Sequence, residues 1–223
     1  LLGKLYGEQE IDSEEYLDGL LVEVQAYNAQ GNPITILRTR EGEVWAFVVE
    51  ALRAEEISLS VDQARLIAED MAGNSFFFTD PTLALDSEGL VDSEYQVGRY
   101  YYFQWVAKDP STGAVLLRWI RVRVDAGNGM VIGFSQFDGG DVTVSTIPFI
   151  SLDTAEDTAL DYLREVLTAP AVINHSLSVS NTYDDQKLIW EIVIADAADT
   201  EDIYFELYVV IDAHTGEVLN VYN

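Results

Sequence analysis

Catalysis and metal binding need particular side chains, and this chain lacks most of them. Its 223 residues include two histidines and no cysteine, which excludes thiolate catalysis and every cysteine-containing zinc site. The sequence has no HExxH, no GxSxG, no Walker phosphate loop and no strand-following GxGxxG, so a zinc site would have to be assembled mainly from carboxylates, an uncommon donor set. His175, in INHSLSV, reads as a strand-edge residue, and His214, in AHTG, as a turn residue. With 39 Asp plus Glu, carboxylate pairs arise by chance and carry no glycosidase signature without a cleft between them. Asp184 and Asp185, and the group Asp196, Asp199, Glu201 and Asp202, have the oxygen density a calcium ion needs. Neither follows EF-hand spacing, and solubilising loops are the simpler reading. The expectation is a non-enzyme with no catalytic residue, no metal and no cofactor.

Charge is the more informative property. Twelve Lys plus Arg leave a net charge of −27, which repels phosphate backbones and anionic lipid head groups and argues against nucleic-acid or membrane-surface partners. The charge is unevenly spread: −8 over residues 1–56, −6 over 57–149 and −13 over 150–223. Five of the twelve basic residues, Arg99, Lys108, Arg118, Arg121 and Arg123, fall within 25 positions. Trp119, Arg121 and Arg123 alternate along one strand, forming a cationic and aromatic stripe of the kind found at interface hot spots. Tyr204 and Tyr208 occupy the matching side of a later strand. These five are the expected partner-binding residues, and the competing expectation is that the arginines pair with the protein's own acids or pack between repeats.

Several elements must hold these residues in place. LLVEVQAY, ITILRTR and EVWAFVVEA, separated by NAQGNP and EG, read as a β-meander within residues 1–56, while IDSEEYLDGLL ahead of it reads as a short acidic helix. Residues 57–149 and 150–223 then repeat one organisation. ISLSVDQ places Ser60 three residues before Gln63, and ISLDTAE places Asp153 three before Glu156; both are capping-box spacings that start a helix. Apolar stripes follow, Val61, Ala64, Ile67, Ala68 and Met71 in the first helix, and Ala159, Leu160, Leu163, Val166 and Leu167 in the second. Superposing the two inferred caps leaves the stripes a residue or two out of phase, so either the helices rotate differently on their sheets or one cap is misplaced. Strands follow each helix, and each copy ends alike: Val124, Asp125, Ala126 and Gly129 match Ile211, Asp212, Ala213 and Gly216. An Asp that bonds its own turn and a Gly that permits positive φ describe a tight hairpin. Alternation directs Ile120, Val122 and Val124, and likewise Phe205, Leu207, Val209 and Ile211, towards the helices. It also places Trp105, Trp190, Ile192 and Ile194 near cores. The fold class is α+β: tandem units, each a capped helix on an antiparallel β-meander, preceded by a β-rich segment over residues 1–56 that is either a degenerate repeat or a separate element.

A capped helix followed by a meander ending in YVVIDAHTGEVLNVY resembles the PepSY domain, named for the propeptides of thermolysin-type metallopeptidases and a spore-germination protein. The second copy carries the resemblance through Tyr208, Asp212, Gly216 and Val218. The first carries it through Asp125, Gly129 and Val131, with GNG where the pattern has a Thr-Gly turn. The resemblance implies a non-enzymatic extracytoplasmic binding or regulatory module whose protein partner is a peptidase or cell-wall hydrolase that it restrains or assists. The alternative is a structural or tethering protein of the cell envelope, and an enzyme with a carboxylate-based site is the least favoured reading. No apolar run approaches the roughly 18 residues of a membrane-spanning helix. LLGKLYGEQE has none of the regions of a signal peptide, so the targeting segment that an exported or envelope-anchored protein needs is expected to lie outside this sequence.

Overall fold

The computed structural model describes residues 6–11, 21–50, 56–75, 78–92, 98–183, 185–196 and 206–223. In chain order the strands are β1 (Tyr6–Ile11), β2 (Leu21–Tyr27), β3 (Pro33–Thr39) and β4 (Val44–Val49), followed by helix α1 (Val61–Ala72). Then come β5 (Leu83–Asp92), β6 (Arg99–Lys108), β7 (Val115–Asp125) and β8 (Val131–Asp138). Helix α2 (Leu152–Leu163) precedes β9 (Pro170–Ser180), β10 (Lys187–Asp196), β11 (Glu206–Asp212) and β12 (Val218–Tyr222). The chain divides into two compact units, residues 1–106 with 118–138, and residues 107–117 with 139–223.

In the first unit the strands lie in the order β1-β2-β3-β4-β8-β7-β6-β5, and the pairs from β1 through to β7 are antiparallel. Register sets the core. Val24, Ile36, Phe47, Phe134 and Val122 are successive cross-strand partners over five strands, and each is at most 3% exposed. Because side chains alternate, their neighbours in each strand face the opposite way. Helix α1 covers the core face with Ala64, Ala68 and Ala72, all fully buried. Small residues at a spacing of four line one face of the helix, and they belong to the same core as Tyr101, Phe103 and Trp105 of β6. The Ser60–Gln63 capping box is formed in both directions. The expected meander is β2–β4, whereas β1 and β5 have no counterpart in the sequence reading. Residues 12–20, most of the expected acidic helix, lie outside the described residues.

In the second unit β9, β10, β11 and β12 are sequential antiparallel neighbours, and Val115 at the start of β7 pairs parallel with Ser178 of β9. The core comprises Leu188, Ile192, Ile194, Val209 and Ile211, all fully buried, together with Ala155, Ala159 and Leu163 of α2. Trp105 and Trp190 are 5% and 9% exposed, so both are core residues as alternation predicts. The cap of α2 differs from expectation. Ser151, not Asp153, accepts from the Thr154 N–H, and the helix begins at Leu152. Asp153 lies instead in the first turn, where a carboxylate complements the helix dipole. With Ser60 and Ser151 as the equivalent residues the phase difference disappears: the buried positions lie four, eight and twelve residues after each cap.

Candidate functional site

In each unit the sheet face that the helix leaves uncovered carries expected binding residues, Trp119, Arg121 and Arg123 in the first and Tyr208 in the second. On β7, Ile120, Val122 and Val124 point into the core at 0% exposure, so Trp119, Arg121 and Arg123 stand on the other face. Trp119 is half-buried and stacks on Phe137 of β8, its register partner, at 5.9 Å between centroids. Trp45 of β4 meets Phe137 edge-on at 6.4 Å. The Arg121 guanidinium lies 4.4 Å from the Trp119 ring centroid, and its Nε donates to Gln104 Oε1 at 2.7 Å. Gln104 also accepts from the Tyr102 hydroxyl. Arg123 extends over Tyr100 at 5.8 Å, and its stem crosses Gly133 so closely that a Cβ there would meet Arg123 Cδ at 3.3 Å. Gly133 therefore leaves room for the arginine to lie flat.

The pairing of the arginines separates them by face. Arg118, one residue out of step with the stripe, is ion-paired to Asp80 at 2.9 Å and to Asp138 at 3.1 Å. The Asp80 carboxyl is held below its ordinary acidity range by hydrogen bonds from Thr82 and then by Arg118, against the effect of its partial burial. Arg65 and Arg99 are likewise paired with acids. No carboxylate among the described residues pairs with Arg121 or Arg123. Their guanidinium groups rest on aromatic rings and keep outward-facing donors and charge, an arrangement suited to a partner's carboxylates or main-chain carbonyls.

In the second unit, Tyr208 lies on the face turned away from α2 and stacks with Tyr222; Tyr204 lies outside the described residues. Asp212, 4% exposed, ends β11. Its Oδ1 accepts from the His214 and Thr215 N–H groups, and its Oδ2 receives Lys187 Nζ at 2.9 Å. Burial acts to raise the Asp212 pKa, but Lys187 and the two N–H donors outweigh it, so the group ionises more readily than usual. His175 faces Glu156 of α2 at 3.4 Å, and His214 packs on Phe149 at 4.8 Å. Of the candidate calcium ligands in the sequence, Asp184, Asp199, Glu201 and Asp202 lie outside the described residues, Asp185 is exposed, and Asp196 accepts from the Thr168 and Ala169 N–H groups. Among the described residues no group of three or more His, Asp or Glu could hold a metal ion.

The repeat is most exact at the backbone that seats each helix. Ser58 and Leu59 both donate to the Ala126 carbonyl, and Phe149 and Ile150 both donate to that of Ala213. The carbonyl preceding each cap is also held: Tyr101 OH donates to Leu59 O at 2.8 Å, and Trp190 Nε1 to Ile150 O at 2.9 Å. Asp125 and Asp212 close equivalent turns, and Gly129 and Gly216 have φ of +76° and +78°, the left-handed conformation expected of them. The paired aromatic donors escaped sequence analysis because phenol and indole look unrelated; the shared signal was their position, two residues after the start of the Arg99 and Leu188 frames that Ala126 and Ala213 bond to.

These features define a class, an α+β protein in which helices seated on Asp-Gly hairpins cap antiparallel sheets. Residues 149–222, a third of the chain, match the PepSY family model, "Peptidase propeptide and YPEB domain". Over the whole chain the fold is similar to the solved Bacillus megaterium YpeB C-terminal domain, with a TM-score of 0.56 and 16% identity, covering 100% of this chain and 90% of that one. A comparison with curated proteins finds no match.

Proposed function

We propose that this protein is a non-enzymatic extracytoplasmic module that binds a peptidase or cell-wall hydrolase and restrains or assists it, with Trp119, Arg121 and Arg123 as the contact stripe. The reading is carried by one observation: in a chain of net charge −27, Arg121 lies over Trp119 at 4.4 Å on a sheet face that α1 does not cover, with no acid of its own among the described residues. Aromatic rings supply contact area at low entropic cost and guanidinium supplies directional donors, the combination that concentrates binding energy at interfaces. The PepSY match at residues 149–222 supports a peptidase-linked role through its family's description.

The test is capture from an envelope extract, with bound proteins identified by mass, using the intact chain and the W119A/R121A variant. Retention of a peptidase or cell-wall hydrolase by the intact chain, lost in the variant at nearly unchanged melting temperature, is the expected result. Equal capture by both removes the stripe from the interface. Parallel loss of capture and of melting temperature assigns these residues a structural role.

A further inference from the structure

The open face of β9–β12 carries a second feature, opposite in charge to the Trp119 stripe. Tyr208 and Tyr222 are cross-strand partners whose rings stack at 5.1 Å with 3° between planes. Beside them lies a concave space of about 340 Å³ lined by Asn174, Ser176, Glu191, Val193, Glu206 and Tyr208, among others. Tyr208 OH donates to Glu206 at 3.1 Å, and Tyr222 OH donates to Glu191. Both hydroxyls are held protonated, Tyr208 by its bond to Glu206 and Tyr222 by burial and then by Glu191. The tyrosines therefore orient the two carboxylates without neutralising them.

The local supply of cations is already used. Residues 150–223 contain fifteen acids and two bases. Arg164 is engaged by Asp161 at 2.8 Å, and Lys187 by Asp212 at 2.9 Å. No Lys or Arg among the described residues pairs with Glu191 or Glu206. Each carboxylate has about four acceptor positions, and a phenol fills one of them.

We infer that this tyrosine–glutamate groove docks an extended cationic segment of a protein partner, taking an arginine side chain against the Tyr208–Tyr222 rings with its guanidinium between Glu191 and Glu206. Charge complementarity selects this occupant: the segment carries −13 within a chain of −27, which steers cations towards it. A planar guanidinium satisfies stacking and carboxylate bonding together. The inference does not rest on the Trp119 stripe and shares no residue with it.

The intact chain is titrated with a fluorescein-labelled hexapeptide of alternating arginine and serine, and with the same peptide carrying citrulline at each arginine. The arginine peptide is expected to bind and the citrulline peptide to fail. E191Q/E206Q should weaken binding about tenfold, whereas D157N/E165Q, which removes the same charge from exposed positions elsewhere, should change it by less than about twofold. Should the first double variant lower the melting temperature, E206Q alone, at an exposed position, carries the test with about a threefold loss. Equal weakening by the two double variants would reduce the effect to diffuse attraction and overturn the site, as would undiminished binding to E191Q/E206Q or no binding to the intact chain.

Discussion

Replacing Trp190 tests the seating of α2 directly. The indole is 9% exposed, packs within the second core, and donates to the Ile150 carbonyl at 2.9 Å, next to the Ser151 cap. Trp190→Ala empties a large buried volume and should cost about 3–5 kcal/mol. Trp190→Phe keeps most of the apolar contact but leaves the Ile150 carbonyl without its donor, at about 1–3 kcal/mol. Tyr101→Phe isolates the bond in the first unit, because only the hydroxyl that reaches Leu59 O at 2.8 Å is lost; about 1 kcal/mol is expected. Urea unfolding followed by far-UV circular dichroism reads all three. With a slope of about 2–3 kcal/mol per molar for a chain of this size, Trp190→Ala should move the midpoint by roughly 1–2 M. A cost for Trp190→Ala below about 1 kcal/mol would place the ring at the surface. If neither phenylalanine variant were destabilised, the two carbonyl bonds would contribute nothing and the proposed equivalence of the helix seats would lose its energetic meaning.

Three further outcomes follow from the turns and caps. Ser151→Ala should cost about 1 kcal/mol and Asp153→Ala only a few tenths; the reverse order in thermal melts would restore Asp153 as the cap of α2. Gly216→Val should lower the melting temperature more than Gly216→Asn, since φ is +78° and β-branched residues are penalised most there; equal losses would contradict the turn geometry. Asp212 ionises more readily folded than unfolded, so its stabilisation is complete above the unfolded pKa of about 4 and is lost as pH falls through the folded pKa, which lies lower. Asp212→Asn keeps an acceptor for the His214 and Thr215 N–H groups and removes that charge, so melting temperature should fall less steeply between about pH 5 and 3 than in the parent chain. Parallel pH profiles would remove the Lys187–Asp212 pair as the source.

Period-two alternation with turn residues at its ends made β2–β4, β6, β7 and β10–β12 legible, because each strand buries one face and the pattern records which. β5 was hidden for the same reason: LALDSEGLVD has mostly exposed positions and writes no alternation. The cap of α2 was misplaced because Asp153–Glu156 has the right spacing while the deciding constraint is tertiary: Phe149 and Ile150 are bound to Ala213 more than sixty residues away. The stripe of Trp119, Arg121 and Arg123 could be placed on a face by alternation alone. Its support from Trp45, Phe137 and Gln104 could not, since those residues come from β4, β8 and β6 and meet only through sheet register. The tyrosine–glutamate groove depends on β11–β12 pairing in the same way, and Tyr222 becomes the neighbour of Tyr208 only once that register is set.

The composition of the second unit bears on how the protein can be divided. Ala114, fully buried, and Leu117, 7% exposed, belong to the same core as α2 and β9–β12, yet they precede that helix by more than thirty positions. Val115 between them supplies the parallel bridge to Ser178, and Asp109 accepts from Thr146 Oγ1 at 2.8 Å on the way into α2. A fragment cut at the boundary of the matched PepSY segment, residues 149–222, would contain every residue by which that domain is recognised and still lack part of its apolar interior. The stretch that identifies a domain in sequence comparison and the stretch that closes its core are thus different lengths of chain, and dissection experiments on this protein need the second.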